Sequence, residues 1–330
     1  METDELATSL RRIGLAKERE SIKAHPLQGG VSSDIILVEV EGRRFCVKRA
    51  LARLKVAALW EAPVSRNAAE AAWMRTVAHW LPSAVPEVLA EDPGVGLFAM
   101  EHLPPETFPV WKAQLLDNRV DLEFAAAVGR VLVHIHARSA IAPDLRRTFA
   151  HDDTFEAIRI EPYLRATARA HPALAPRLTA LAERTLASRR ALVHGDVSPK
   201  NILVGPNGPV FLDAECAWFG DPAFDLAFCL NHLLLKGARK GSDRGSFLSA
   251  FAALGDAYSS SVDWEDPREN EARAASLLPA LFLARVDGKS PVEYLTDERE
   301  RDAVRGCAAP LIADPPARLA EVADAWRRAA

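Results

Sequence analysis

Leu192-Val193-His194-Gly195-Asp196-Val197-Ser198-Pro199-Lys200-Asn201-Ile202-Leu203-Val204, with Val210-Phe211-Leu212-Asp213 a short turn later, is the stretch that decides the fold. Two apolar runs of strand length are separated by turn residues. The first ends in His194-Gly195-Asp196, the second ends in Asp213, and Asn201 stands between them. The D-x-x-x-x-N spacing puts a carboxylate and an amide on one loop, close enough to serve one reaction centre. A carboxylate accepts the proton of an attacking hydroxyl, and an amide oxygen suits a magnesium ion. Asp213 adds the anionic oxygen that a metal bridging two phosphates requires. An isolated D-x-x-x-x-N would read as a polar surface turn; flanking strands and a second acid weigh against that here.

Upstream, the pattern predicts a small antiparallel sheet. A charged helix over residues 3–20 is followed by the loop Leu27-Gln28-Gly29-Gly30-Val31-Ser32-Ser33, then strands at 34–40 and 44–48 joined by the turn Glu41-Gly42-Arg43. Gly30, Ser32 and Ser33 offer backbone N–H groups and hydroxyls to phosphates. Lys48 alternates away from the buried face of its strand, where an ammonium reaches phosphate oxygens, although an edge lysine is the commoner reading of such a residue. Helix 65–81 carries Glu70 where an acid orienting Lys48 is expected. With a strand ahead of the glycine loop, strands at 86–89 and 97–100 complete five strands, and Leu103-Pro104-Pro105 breaks the pattern. The lobe boundary falls near residue 103, dividing 1–102 from 103–330.

Beyond it, helices are expected at 122–140, 161–170, 174–189, 223–235, 245–260, 268–285, 297–312 and 316–329. The chain is therefore α+β: a small β-rich lobe, then a larger helical one. Its 330 residues, net charge of −4 and pI near 6.2 give no electrostatic footprint for nucleic acid or an anionic membrane. No apolar run is long enough to span a bilayer, and the N-terminus lacks an apolar signal core. The four cysteines, at 46, 216, 229 and 307, form no C-x-x-C pair, so free thiols and a cytoplasmic location are expected. Gly288-Lys289-Ser290 ends like a phosphate-binding loop, but Leu283 stands where its first glycine belongs. His134 and His136, two apart on a helix, do not share a face for a metal. Trp218 lies just past the metal acid, where an aromatic flanks a bound substrate, and Arg285, Asp287 and Lys289 form a charged knot that also suits an acceptor. Glu215 is a candidate for facing a cationic one.

Together these residues resemble the aminoglycoside phosphotransferase and choline kinase group, small-molecule relatives of protein kinases, over about residues 25–295. The specific blocks are H-G-D-V-S-P-K-N-I-L, F-L-D-A-E and G-D-P-A-F-D-L-A. The resemblance implies a two-lobed protein-kinase-like fold and ATP- and Mg²⁺-dependent phosphorylation of a small-molecule hydroxyl, with no nucleic-acid or membrane partner. It implies Asp196 as the catalytic acid, Asn201 and Asp213 as metal ligands, and Lys48 with Glu70 at the nucleotide phosphates. It also implies Glu101 and Leu103 as the hinge meeting adenine, and Asp225, with His194, as braces of the catalytic loop. Val47–Leu51, residues 60–70 and Asp213-Ala214-Glu215 are similar to methylthioribose kinase, whereas H-G-D-V-S-P-K-N is closer to the antibiotic-kinase form. A nucleotide-binding pseudokinase is the remaining alternative, disfavoured because Lys48, Asp196, Asn201 and Asp213 are all retained.

Overall fold

The structure is a computed structural model that describes residues 3–27, 33–51 and 63–329. Helix α1 (Thr3–Arg12) is shorter than its periodicity suggests. Gly14, at φ +78°, turns the chain out of the helix through the left-handed region that a side chain disfavours. Five antiparallel strands follow: β1 (Ile22–Pro26), β2 (Ser33–Val40), β3 (Arg43–Ala50), then, past α2 (Arg66–Trp80), β4 (Val88–Asp92) and β5 (Leu97–Glu101). They lie in the order β1-β2-β3-β5-β4. The β1 strand falls between the expected helix and the glycine loop, where the sequence reading placed a strand without bounds, and β4 begins two residues later than the alternation suggests.

Both faces of the central strands are covered. Phe45, Val47, Leu97 and Ala99 pack with Leu6 and Leu10 of α1, while Cys46, Phe98 and Met100 join Trp73 and Met74 of α2. Lys48 lies on the second face and is 2% exposed. The alternation places it correctly, but the face it points to is enclosed, not open.

After Glu101 the chain is mainly helical: α3 (Trp111–Leu116), α4 (Leu122–Ala140), α5 (Pro143–Thr148) and α6 (Asp152–Phe155). A π-helical stretch (Glu156–Arg165) continues into α7 (Ala166–Ala170), and α8 (Ala175–Ala187) follows. Pro162 sits inside the wide turns, where the sequence suggested a helix start; π geometry accommodates a residue that lacks an N–H to donate. Strands β6 (Ala191–Val193), β7 (Ile202–Gly205), β8 (Gly208–Phe211) and β9 (Trp218–Gly220) make two small ribbons, β6 with β9 and β7 with β8. The C-terminal helices are α9 (Pro222–Gly237), α10 (Arg244–Ser259), α11 (Pro267–Asp287), α12 (Glu298–Ala313) and α13 (Leu319–Arg328). Asp221 and Asp266 cap α9 and α11 through their carboxylates, each with proline in the first turn. The α9 helix is buried along its whole length, which fixes the loops at its N-terminal end against the core. The architecture is α+β and two-lobed.

Candidate active site

The two ribbons present their loops to the same point. Asp225, in the first turn of α9, is fully buried, and its Oδ2 and Oδ1 accept from the backbone N–H groups of His194 (2.7 Å) and Gly195 (2.8 Å). His136 of α4 reaches Oδ2 through Nε2 at 3.3 Å and meets the Tyr258 hydroxyl through Nδ1 at 2.7 Å. Three distant elements thus hold the loop entrance. Within the loop, His194 Nδ1 accepts from the Asp196 N–H at 3.1 Å while Nε2 bonds the Leu212 carbonyl at 3.0 Å. Burial keeps this imidazole below its usual pKa and hence neutral, as one accepting and one donating nitrogen require. The edge of Trp73 packs on it, with ring centroids 4.8 Å apart.

Gly195 takes φ +79°, and a Cβ there would lie 2.7 Å from Cys216 Cβ and 2.8 Å from its carbonyl oxygen. Only glycine fits. The turn it makes aims Asp196 inward, 4% exposed. Asp196 Oδ2 receives Asn201 Nδ2 at 2.9 Å, an Arg159 guanidinium nitrogen at 3.0 Å and Lys200 Nζ at 3.1 Å. Oδ1 takes none of these contacts. Burial alone would raise this carboxyl; Arg159 and Lys200 overcome it and hold the group below the usual carboxylate range. Asp196 is therefore an ionised acceptor with one oxygen committed and one available.

Asn201 gives both its amide hydrogens to Asp196, to the backbone oxygen (3.1 Å) as well as to Oδ2. Its Oδ1 is left as a hard oxygen donor. Asp213 stands at φ +66°, a sparse region for a residue with a side chain. Its Oδ1 meets Lys48 Nζ at 2.5 Å, and Lys48 meets Glu70 Oε2 at 2.6 Å. One ammonium thus faces two carboxylates. Burial opposes the charge on Lys48, but Asp213 and Glu70 hold its pKa well above the usual lysine value. Burial would raise Asp213 too, yet Lys48 and Lys200 keep it below the carboxylate range, whereas burial pushes Glu70 up to about 7. A carboxylate oxygen on Asp213 and the amide oxygen of Asn201 suit a hard divalent cation that completes its shell with phosphate oxygens and water.

Glu101 ends β5, and its N–H bonds the Glu87 carbonyl at 2.9 Å. Leu103 makes no backbone hydrogen bond among the described residues, so its peptide groups are open to a ligand. Both line a cavity of about 150 Å³ with Phe108 and the β7–β8 turn. Gly30 and Ser32 lie outside the described residues; Ser33 is buried with its hydroxyl unpartnered.

The acceptor candidates fare differently. Trp218 is in the core, stacked on Phe155 at 4.3 Å with Nε1 bonded to Asp152. Glu215 is paired with Arg66 at 2.9 Å, and Asp287 is pinned by Arg305 at 2.7 Å and His171 at 2.8 Å. These three are committed inside the protein; Arg285 is taken up below. Sequence reasoning did not find Arg159. It reaches Asp196 and the Gly195 carbonyl from the π-helical stretch, and its one visible signal was an arginine between two isoleucines, Ile158 and Ile160, in a buried run.

A β-rich lobe feeding a lysine to two acid-bearing loops of a helical lobe is a protein-kinase-like arrangement. A model of the phosphotransferase enzyme family matches residues 23–269, and the chain belongs to that family. A methylthioribose kinase of Pectobacterium atrosepticum is 24% identical over 250 residues, 67% of this chain and 62% of the relative, so the chain spans less than two thirds of that protein's length. Among solved structures, an amicoumacin kinase in complex with AMP-PNP, Ca²⁺ and Ami superposes with a TM-score of 0.61 at 13% identity, covering 97% of this chain and 96% of the other. A choline/ethanolamine kinase family protein from Mesorhizobium loti gives 0.50 at 16% identity over 99% and 100%. Among the described residues no helix is long and apolar enough to cross a membrane.

Proposed function

We propose that the chain transfers the γ-phosphoryl group of ATP to a hydroxyl of a small molecule, with residues 1–102 as the nucleotide-binding lobe and 103–330 as the catalytic and acceptor lobe. The observation that carries this is the convergence of Asp196, with a free Oδ1, upon the same loop pair as the Lys48–Asp213 contact. Asn201 and Asp213 would hold a divalent cation, magnesium being the expected one; bound there, it neutralises phosphate charge and orients the transferring group. Lys48, held by Glu70, places an ammonium against the phosphates, and Leu103 offers its peptide to the base. Asp196 Oδ1 takes the hydroxyl proton as the acceptor oxygen bonds phosphorus; the bond to the bridging oxygen breaks and ADP leaves. Arg159 and Lys200 keep Asp196 charged and oriented, so positioning and charge stabilisation supply most of the rate.

ADP release with ATP and Mg²⁺ over a panel of aminoglycosides, other antibiotics, choline, ethanolamine and methylthioribose tests the reading. In the Asp196→Asn protein, nucleotide-dependent thermal stabilisation persists and turnover drops by about 10³-fold or more. Full turnover by that variant would remove Asp196 from its role. A methylthioribose kinase-like activity is the second reading, favoured by the relative above and tested by that acceptor in the same panel.

A further inference from the structure

A second polar cluster opens directly beside the catalytic loop. A narrow cleft of about 30 Å³, room for a small polar group, lies between α3, the Ser198–Lys200 turn, the last turns of α9 and the end of α11. Five basic side chains line it: Lys112, Lys200, His232, Lys236 and Arg285. One carboxylate, Glu293, stands among them, and it is already paired with Lys112. Lys200 also contacts Asp196 at 3.1 Å, so the cleft and the reacting carboxylate share a wall.

Two of these cations have no carboxylate partner among the described residues. Lys236 is 1% exposed, and its recorded neighbour is the ring face of Tyr294, 5.0 Å from Nζ to the centroid. Arg285 bonds the Tyr163 hydroxyl and Ser290 through one nitrogen, while its Nε is buried and unpartnered. Buried charges in native proteins are paired unless a ligand completes them. Here an ammonium and a guanidinium converge on a space at the mouth of an active site, which is the donor set that binds carboxylates and phosphates.

We propose that the phosphoryl acceptor carries an oxyanion, a carboxylate or a phosphate, on the same small molecule as its hydroxyl, and that Lys236, Arg285 and Lys112 seat this group in the cleft. The inference rests on the kinase reading and names its substrate class. An oxyanion held there places a hydroxyl a few bonds away against Asp196 Oδ1. A polycationic acceptor meets the wrong sign of charge, since Glu215 and Asp287, the acids that would have received it, are occupied by arginines.

The test has a turnover arm and a binding arm. ADP release is measured with hydroxy acids such as glycerate, with phosphorylated polyols such as glycerol 3-phosphate, with neutral methylthioribose and glycerol, and with cationic kanamycin and choline. Turnover confined to the anionic acceptors supports the proposal, and the first two sets distinguish carboxylate from phosphate. Turnover confined to neutral or cationic acceptors overturns it while the kinase reading stands. Calorimetric titration of glycerate and glycerol 3-phosphate into the protein with AMP-PNP present reads oxyanion binding without turnover. Wild-type binding that weakens at least about tenfold in Lys236→Met and in the more exposed Lys112→Gln places the anion in the cleft. Binding unchanged in both variants, or absent from the wild type, overturns the proposal. Lys236-dependent binding with no ADP release from any acceptor upholds the oxyanion site and overturns the kinase reading.

Discussion

Replacing Lys236 with methionine should stabilise the protein lacking ligand. The ammonium is enclosed by burial and repelled by Lys112 and Arg285, which together lower its pKa from 10.5 to about 7. At about 1.4 kcal/mol per tenfold in a protonation equilibrium, that drop corresponds to about 5 kcal/mol lost from folding at neutral pH. The Tyr294 ring face and the C-terminal end of α9 return part of it, about 2 kcal/mol for a desolvated cation–π contact and up to about 1 kcal/mol for the helix end. Methionine keeps the apolar stem and drops the charge. A net gain of about 2–3 kcal/mol is expected, a rise of roughly 3–4 °C in melting temperature for a chain of this size.

The sign with pH is also fixed. Between pH 7 and 10.5 the unfolded lysine holds a proton that the folded one releases, so the unfolded state binds more protons and wild-type stability rises with pH. The advantage of the methionine variant is therefore largest at pH 6 and shrinks by about 3 kcal/mol by pH 9. The groups facing Lys236 do not confuse this window. Burial puts His232 well below 6.5 and pushes Cys229 up to about 12 and Tyr294 higher. Burial alone would raise Glu293, but the Lys112 contact brings it below the ordinary glutamate value. Differential scanning calorimetry of both proteins at pH 6 and pH 9 reads the gap directly. A methionine variant less stable than wild type at pH 6, or a gap that ignores pH, would refute the idea that this lysine is an unpaired charge awaiting a ligand.

Two further outcomes follow from the loop geometry. Gly195→Ala combines a positive φ with a Cβ pressed against the Cys216 backbone, so urea denaturation should register a loss of about 2–4 kcal/mol, with turnover falling further because Asp196 is displaced. Asp225→Ala strips the partner from two buried N–H groups and from His136; about 3–5 kcal/mol should be lost in the same assay, at about 1–3 kcal/mol per orphaned donor. Wild-type-like stability in the alanine variant at 225 would remove it as the brace.

The convergence of the candidate donor half was legible because its residues follow one another along two loops. His194, Asp196, Asn201 and Asp213 span twenty positions, and strand signals on either side fix which way each points. Lys48 and Glu70 were legible one step less directly, since their meeting needs the sheet and α2 to pack as they do. Arg159 was not, because it arrives from a π-helical stretch whose wide turns and internal Pro162 follow no 3.6-residue period. Of the acceptor candidates, Arg285 lines the proposed cleft, whereas Glu215, Trp218 and Asp287 are held by partners elsewhere. The proposed cleft is assembled from α3, α9 and α11; more than a hundred residues separate α3 from α9, and no local pattern encodes their meeting. Glu215 and Trp218, neighbours of Asp213 in sequence, were natural suspects, yet they turn inward to Arg66 and Phe155. The sequence signal for the proposed cleft is a polar interruption: His232 and Lys236 break an apolar helix that is buried along its whole length. A lysine in such a place has no solvent to snorkel to, so either it lowers stability or it waits for a counter-ion. On the proposed reading the recognisable loop carries the phosphoryl chemistry and the charge at the end of α9 selects the acceptor, so a change of acceptor would need changes only in that distant wall.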